Sequence, residues 1–185
     1  MKNSLLYIRQ QVRILTGDAP AVAVKVARDL GILSMNSTPI GSVVIQMEPP
    51  LTEDDLVITG AKLAAISKDQ EEFDKAIERC IVFAKLSPHQ KLQVVEGLRK
   101  GGEAGGLRAV AYLGDGVNDA LAIHAADVGI SVDSGTEITK EAADVILLEK
   151  SLDVIVQGIT QGRITYVHFL FYALPHFVKK ELGPG

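Results

Sequence analysis

A doubly wound α/β fold with a mostly parallel sheet is predicted by three features of the sequence. Between residues 12 and 150, short β-branched apolar runs alternate with stretches that carry apolar residues at helical spacing. Strand, turn and helix repeated in that order require parallel strands joined by crossovers. The apolar runs are nearly continuous, as strands covered on both faces must be. The 185 residues are 47% apolar and 23% charged, the composition of a globular chain of about one domain.

The first strand is expected over Val12–Leu15, ending in the turn Thr16-Gly17-Asp18. Pro20 suits a first helical turn, and Ala21–Leu30 carries a helical apolar pattern closed by Gly31. Residues 34–60 hold Pro39, Pro49 and Pro50 and read as an insertion or long connection. Ile81–Ala84 is a short strand, and Ser87 caps a helix that starts at Pro88 and runs to about Lys100. Gly101–Gly106 is a glycine-rich loop. Ala109–Leu113 is a strand leading into Gly114-Asp115-Gly116, with a helix from about Val117 to Ala125. Val128–Ser131 and Val145–Leu148 complete the strands, with Thr136–Ala142 helical between them.

Several classes are excluded or disfavoured. A net charge of −4 gives no sequence-wide basic field for nucleic acid or an anionic membrane. The single cysteine, Cys80, rules out an internal disulfide and reads as buried core. Arg9 interrupts the apolar stretch at the N-terminus, so a secretory signal is not expected. The longest apolar run, Ile164–Val178, is broken by His168, Pro175 and His176 and falls short of the ~20 residues that span a bilayer. Five of the nine Phe and Tyr residues (Tyr166, Phe169, Phe171, Tyr172 and Phe177) crowd this end of the chain. That segregation suggests an amphipathic or membrane-entering helix cut short, or a tail foreign to the domain.

Three groups at the carboxyl ends of strands carry chemistry, where open α/β sheets bind their ligands. The Thr16 hydroxyl and Gly17 amide stand before a helix N-terminus, a place suited to phosphate; a plain turn capped by Asp18 is the alternative. Lys91 lies in the first turn of its helix, where the dipole favours anions, so it either meets an anion or is a solvated lysine. Asp115 and Asp119 are spaced to converge across a loop-to-helix junction, and Mg²⁺ takes one or two carboxylates plus waters and phosphate oxygens. An Asp-Gly turn followed by a cap would use the same residues. His89 and His124 have no partner at metal-ligand spacing and read as surface residues.

Together, in this order, Thr-Gly-Asp, Ser-Pro-His-Gln-Lys and Gly-Asp-Gly-Val-Asn-Asp-Ala resemble the phosphorylation domain of P-type cation-transporting ATPases, in the haloacid-dehalogenase superfamily. The resemblance runs from about Val12 to Tyr166. Asp127–Asp133 and Ile138–Leu152 are most similar to the magnesium-importing branch. It implies a haloacid-dehalogenase-like, Rossmann-like sheet and ATP-driven formation and hydrolysis of an aspartyl-phosphate. Thr16, Gly17 and Lys91 would hold the phosphoryl group, with Asp18 supporting the loop. Asp115 and Asp119 would hold Mg²⁺, and Asn118 would complete the shell. ATP would be the substrate, and the partners would be the nucleotide-binding, actuator and transmembrane parts of a pump, at the cytoplasmic face of a membrane. Membrane association would come only through the full-length protein.

The departures carry equal weight. The family's nucleophilic Asp-Lys-Thr-Gly-Thr is not in this sequence, and the one Asp-Lys pair, Asp74-Lys75, sits in a charged helical stretch. The chain is therefore expected to be a pump fragment that neither pumps nor autophosphorylates alone, with residues 1–11 a lead-in, 12–152 the C-terminal portion of the phosphorylation domain, and 153–185 a stalk-like helix with a divergent aromatic tail. Two alternatives stand beside it: a complementing or stand-alone binding module, and a soluble Mg²⁺-dependent phosphatase. The resemblance also implies that a central strand is missing between those leading to Thr16 and Asp115. Unpaired buried backbone groups cost ~1–3 kcal/mol each, so either those two strands pair directly or the fold is marginally stable.

Overall fold

The computed structural model describes residues 11–33, 53–101, 109–149 and 151–173. Among the described residues, six short strands form two parallel three-stranded sheets. In the first, β1 (Ile14–Leu15), β2 (Val57–Thr59) and β3 (Val82–Ala84) lie in the order β1-β3-β2. In the second, β4 (Ala111–Gly114), β5 (Val128–Val132) and β6 (Val145–Leu147) lie in chain order. Of the two outcomes expected, direct pairing or marginal stability, β1 and β4 do not pair directly: each is an edge strand of its own sheet.

Local signals account for the helices. Pro20 opens α1 (Pro20–Asp29), its fixed φ being ready for a first turn. The Asp69 carboxylate accepts from the amides of Glu71 and Glu72 to start α3 (Gln70–Arg79), which follows α2 (Gly60–Ile66). Helix α4 (Pro88–Lys100) carries a full capping box: Ser87 Oγ accepts from the Gln90 amide, and Gln90 Oε1 accepts from the Ser87 amide. It ends at Gly101 in the left-handed region, φ 87°. Helix α5 (Ala120–Ala125) follows a 3-10 turn over Val117–Asp119, and Thr136 and Ser151 cap α6 (Glu137–Ala142) and α7 (Leu152–His168).

Both faces of the first sheet are covered, as the continuous apolar runs require. Phe83 points into a core built with Ile58, Leu63, Phe73, Ile77 and Val94, whereas Val82 and Ala84 face Ala23 and Ala27 of α1 on the other side. All three β3 residues are fully buried, and each fully buried Val or Phe contributes ~1.5–3 kcal/mol. Helix α4 is the shared wall of the two halves. Its Val94 belongs to the first core, and Val95 packs with Tyr112, Ala122 and Ile123 in the second. Leu15 of β1 packs against both clusters.

Strand β2 and the 3-10 turn Glu53–Leu56 fall inside the stretch read as an irregular connection. Three residues are too few to show a period, and Pro49 and Pro50 mask them. The remainder of that connection, most of the glycine-rich loop, and Phe177 lie outside the described residues. Helix α7 and Phe169–Tyr172 of the π turn Phe169–Ala173 contain no buried residue, and Gly158 and Gly162 face open space. Among the described residues, no helix is long and apolar enough to cross a membrane.

Candidate functional site

The three sequence motifs all lie at carboxyl ends of parallel strands. After β1, Thr16 Oγ1 donates to Asp18 Oδ2 at 3.0 Å and accepts from the Asp18 amide at 3.1 Å. The Thr16 and Asp18 carbonyls accept from the amides of Leu86 and Lys85, which ties the loop to the segment after β3. Gly17 is exposed, and Ala19, the residue capping α1, supplies no side-chain acceptor. The first turn of α1 thus has no side-chain cap, and its positive end is suited to an anion.

Lys91 is not a solvated lysine. It is buried, and its Nζ donates to Asp119 Oδ1 at 2.7 Å, with 9% and 13% of the two side chains exposed. The Tyr112 hydroxyl donates to the same oxygen at 2.7 Å. Burial, and then the bond to Asp119, push the Tyr112 phenol well above its ordinary range, so it remains a donor. Two donors from α4 and β4 therefore hold one carboxylate. Gly114 makes this approach possible, because a Cβ there would lie 2.5 Å from the Asp119 Cβ. In the sequence Tyr112 reads as core, an aromatic in a buried strand; only the fold brings its hydroxyl to Asp119.

Asp115 and Asn118 are exposed on the turn after β4. The Asp115 carbonyl accepts from the Thr136 amide at 3.1 Å and from Thr139 Oγ1 at 3.4 Å, which anchors the backbone. The two carboxylates thus differ: Asp119 is engaged by Lys91 and Tyr112, whereas Asp115 faces water. Among the described residues no three His, Cys, Asp or Glu side chains gather to hold a metal. A single exposed carboxylate still fits the habit of Mg²⁺, which fills its shell with water and substrate oxygens.

The scaffold behind Lys91 is tightly built. Gln90 Nε2 donates to the Gly60 carbonyl at 2.7 Å, and a Cβ on Gly60 would lie 2.4 Å from the Lys85 carbonyl oxygen. Lys85 itself has φ 51°, the left-handed region. His89 and His124 are exposed, and Cys80 is buried, as expected. Among the described residues no hydrogen bond joins the Thr16 loop to the Lys91–Asp119 pair or to Asp115.

No family model matches the chain. It is 38% identical over 161 residues to the magnesium-transporting ATPase, P-type 1, of Salmonella typhimurium, covering 87% of this chain and 15% of that protein. To the sodium/potassium-transporting ATPase subunit alpha-A of Artemia franciscana it is 36% identical over 163 residues, 84% of this chain and 16% of that protein. The solved structure of a zinc-transporting PIB-type ATPase in its E2.Pi state aligns with a TM-score of 0.53 and 26% identity, over 84% of this chain and 17% of that one. The chain thus spans about one sixth of the relatives it matches, and over that span it belongs to the P-type cation-transporting ATPases.

Proposed function

We propose that this chain supplies the phosphate- and Mg²⁺-binding half of the phosphorylation site of an ATP-driven cation pump, with magnesium as the cargo ion. The observation that carries this reading is the common placement of its motifs: Thr16 after β1, Lys91 in the helix after β3, and Asp115 after β4. The Thr16 hydroxyl, the Gly17 amide and the uncapped turn of α1 offer donors to a phosphoryl group. Lys91 supplies the positive charge that phosphoryl transfer needs, positioned by Asp119 and Tyr112. Asp115 would bind Mg²⁺, with Asp119 and Asn118 behind it, and the ion when bound would neutralise charge on the transferred group. The remaining pump would bring the nucleotide-binding, actuator and transmembrane parts, and would place this chain at the cytoplasmic face of a membrane.

The test is a chimera in which residues 12–152 replace the matching segment of the Salmonella typhimurium magnesium-transporting ATPase. Mg²⁺-dependent ATP hydrolysis is expected, with Asp115→Ala and Lys91→Met each lowering turnover at least 100-fold. A chimera that reaches the membrane intact yet forms no phosphoenzyme would sink the reading.

A further inference from the structure

We propose that Tyr112 is a specificity-determining residue for the divalent cation of this site: with Lys91 it locks one oxygen of Asp119, leaving that carboxylate a single free oxygen, a donor set that suits Mg²⁺ and disfavours Ca²⁺. That a cation binds beside Asp115 rests on the function proposed above; the lock on Asp119 rests on its hydrogen bonds alone.

Each oxygen of a carboxylate has about two lone-pair directions. Both are taken at Asp119 Oδ1, by Lys91 Nζ and by the Tyr112 hydroxyl, each at 2.7 Å. The second oxygen is turned elsewhere. A Cβ on Gly114 would lie 3.1 Å from Oδ2, and one on Gly116 would lie 3.8 Å from it. Those two glycines flank Asp115. Asp119 therefore offers Oδ2, and not Oδ1, to the turn that carries Asp115.

Two donors on one atom fix the plane of the carboxylate. The terminal torsion of an Asp side chain is broad, so a single partner at Oδ1 would let the plane swing about it. The two partners come from different elements, Lys91 from α4 and Tyr112 from β4. Tyr112 is buried with Val95, Ala122 and Ile123, and that packing fixes where its hydroxyl points. The common divalent cations ask for different donors. Mg²⁺ takes one or two carboxylates in near-octahedral geometry and keeps several waters, whereas Ca²⁺ gathers ~6–8 oxygens and readily takes both oxygens of one carboxylate. With Oδ1 occupied, Asp119 cannot close on a cation through both oxygens; of the two carboxylates only the exposed Asp115 can. Removing the Tyr112 hydroxyl frees a direction on Oδ1 and loosens the plane. That adds an oxygen for Ca²⁺ and adds nothing that an octahedral ion surrounded by water requires.

The experiment titrates the full 185-residue chain with magnesium chloride or calcium chloride alone, followed by NMR at the Gly114 and Gly116 amides and at Tyr112 Cζ. In the wild type, Mg²⁺ should bind more tightly than Ca²⁺ and leave the Tyr112 Cζ resonance in place, whereas Ca²⁺, drawing on Oδ1, should shift it. Tyr112→Phe should tighten Ca²⁺ ~10-fold and change Mg²⁺ less than ~2-fold, the lower end of what groups behind a metal's ligands contribute. Asp115→Asn should abolish both titrations. The two levels fail differently. If neither cation shifts the Gly114 and Gly116 amides in the wild type, the Mg²⁺ role of Asp115 and this proposal fall together. If both cations bind through Asp115 but Tyr112→Phe leaves their ratio unchanged, that role stands and the proposal is overturned. Should Tyr112→Phe not fold, the wild type still decides: tighter binding of Ca²⁺ than of Mg²⁺, or a Tyr112 resonance moved equally by both, overturns the lock.

Discussion

The Lys91–Asp119–Tyr112 arrangement makes a strong prediction about stability. In Asp119→Ala, the Lys91 ammonium loses its partner while its side chain remains about nine-tenths out of water. Breaking one side of a buried ion pair costs ~3–5 kcal/mol, and the Tyr112 hydroxyl loses its acceptor as well. A loss of ~4 kcal/mol is a large part of the ~5–15 kcal/mol that holds a domain together. With a urea dependence of ~2 kcal/mol per molar, the unfolding midpoint should fall by ~2 M, read by circular dichroism without added Mg²⁺. The double variant Lys91→Met/Asp119→Leu removes both charges, so it should recover most of that loss and be non-additive with the single changes. A midpoint shift under ~0.3 M in Asp119→Ala, or strict additivity in the double variant, would show that the pair is not held as described.

Other consequences can be checked on the same chain. The Val110 amide, donating at 2.8 Å, and Arg99 hold the Asp127 carboxyl below its ordinary 3.8. Its folded value is thus the lower one, so its contribution is present above ~pH 4 and fades as pH falls through the folded value. Asp127→Asn should flatten the acid limb of the stability curve; an unchanged limb would refute this. Burial pushes the Cys80 thiol up despite the nearby Arg13, so it should react with an aromatic disulfide reagent at least 100-fold more slowly in the native chain than in urea. Rapid native labelling would contradict that packing. Gly60→Ala drives a Cβ into the Lys85 carbonyl and should cost ~1–3 kcal/mol. Gly158→Ala meets open space, and should raise the helicity of α7, with a propensity gain of ~1 kcal/mol. Equal effects at the two glycines would count against the packing around Gly60.

Much of the architecture is decided within a few residues along the chain. Pro20 at the start of α1, the Ser87–Gln90 capping box, Gly101 after α4, and the Asp18–Thr16 turn all involve partners at most four residues apart. Such signals are legible because propensity and capping are local. The motif residues Thr16, Lys91 and Asp115 follow from them, since each is placed by the end of a strand or the start of a helix. Strand β2 is not legible in the sequence because three residues carry no period, and only pairing with β3 makes them a strand.

The state of the site belongs to tertiary structure. Lys91 and Asp119 are 28 residues apart, and nothing near either one in sequence announces that they share a buried bond. Tyr112 reads as core and is core, yet its hydroxyl also fixes the carboxylate that holds Lys91. The division into two sheets is decided in the same way. A strand's own residues specify that it is extended and apolar, but its hydrogen-bond partners come from wherever the fold brings another backbone edge. For β1 and β4 that edge is not among the described residues, so pattern alone could place both strands correctly and still not show that each keeps one side open.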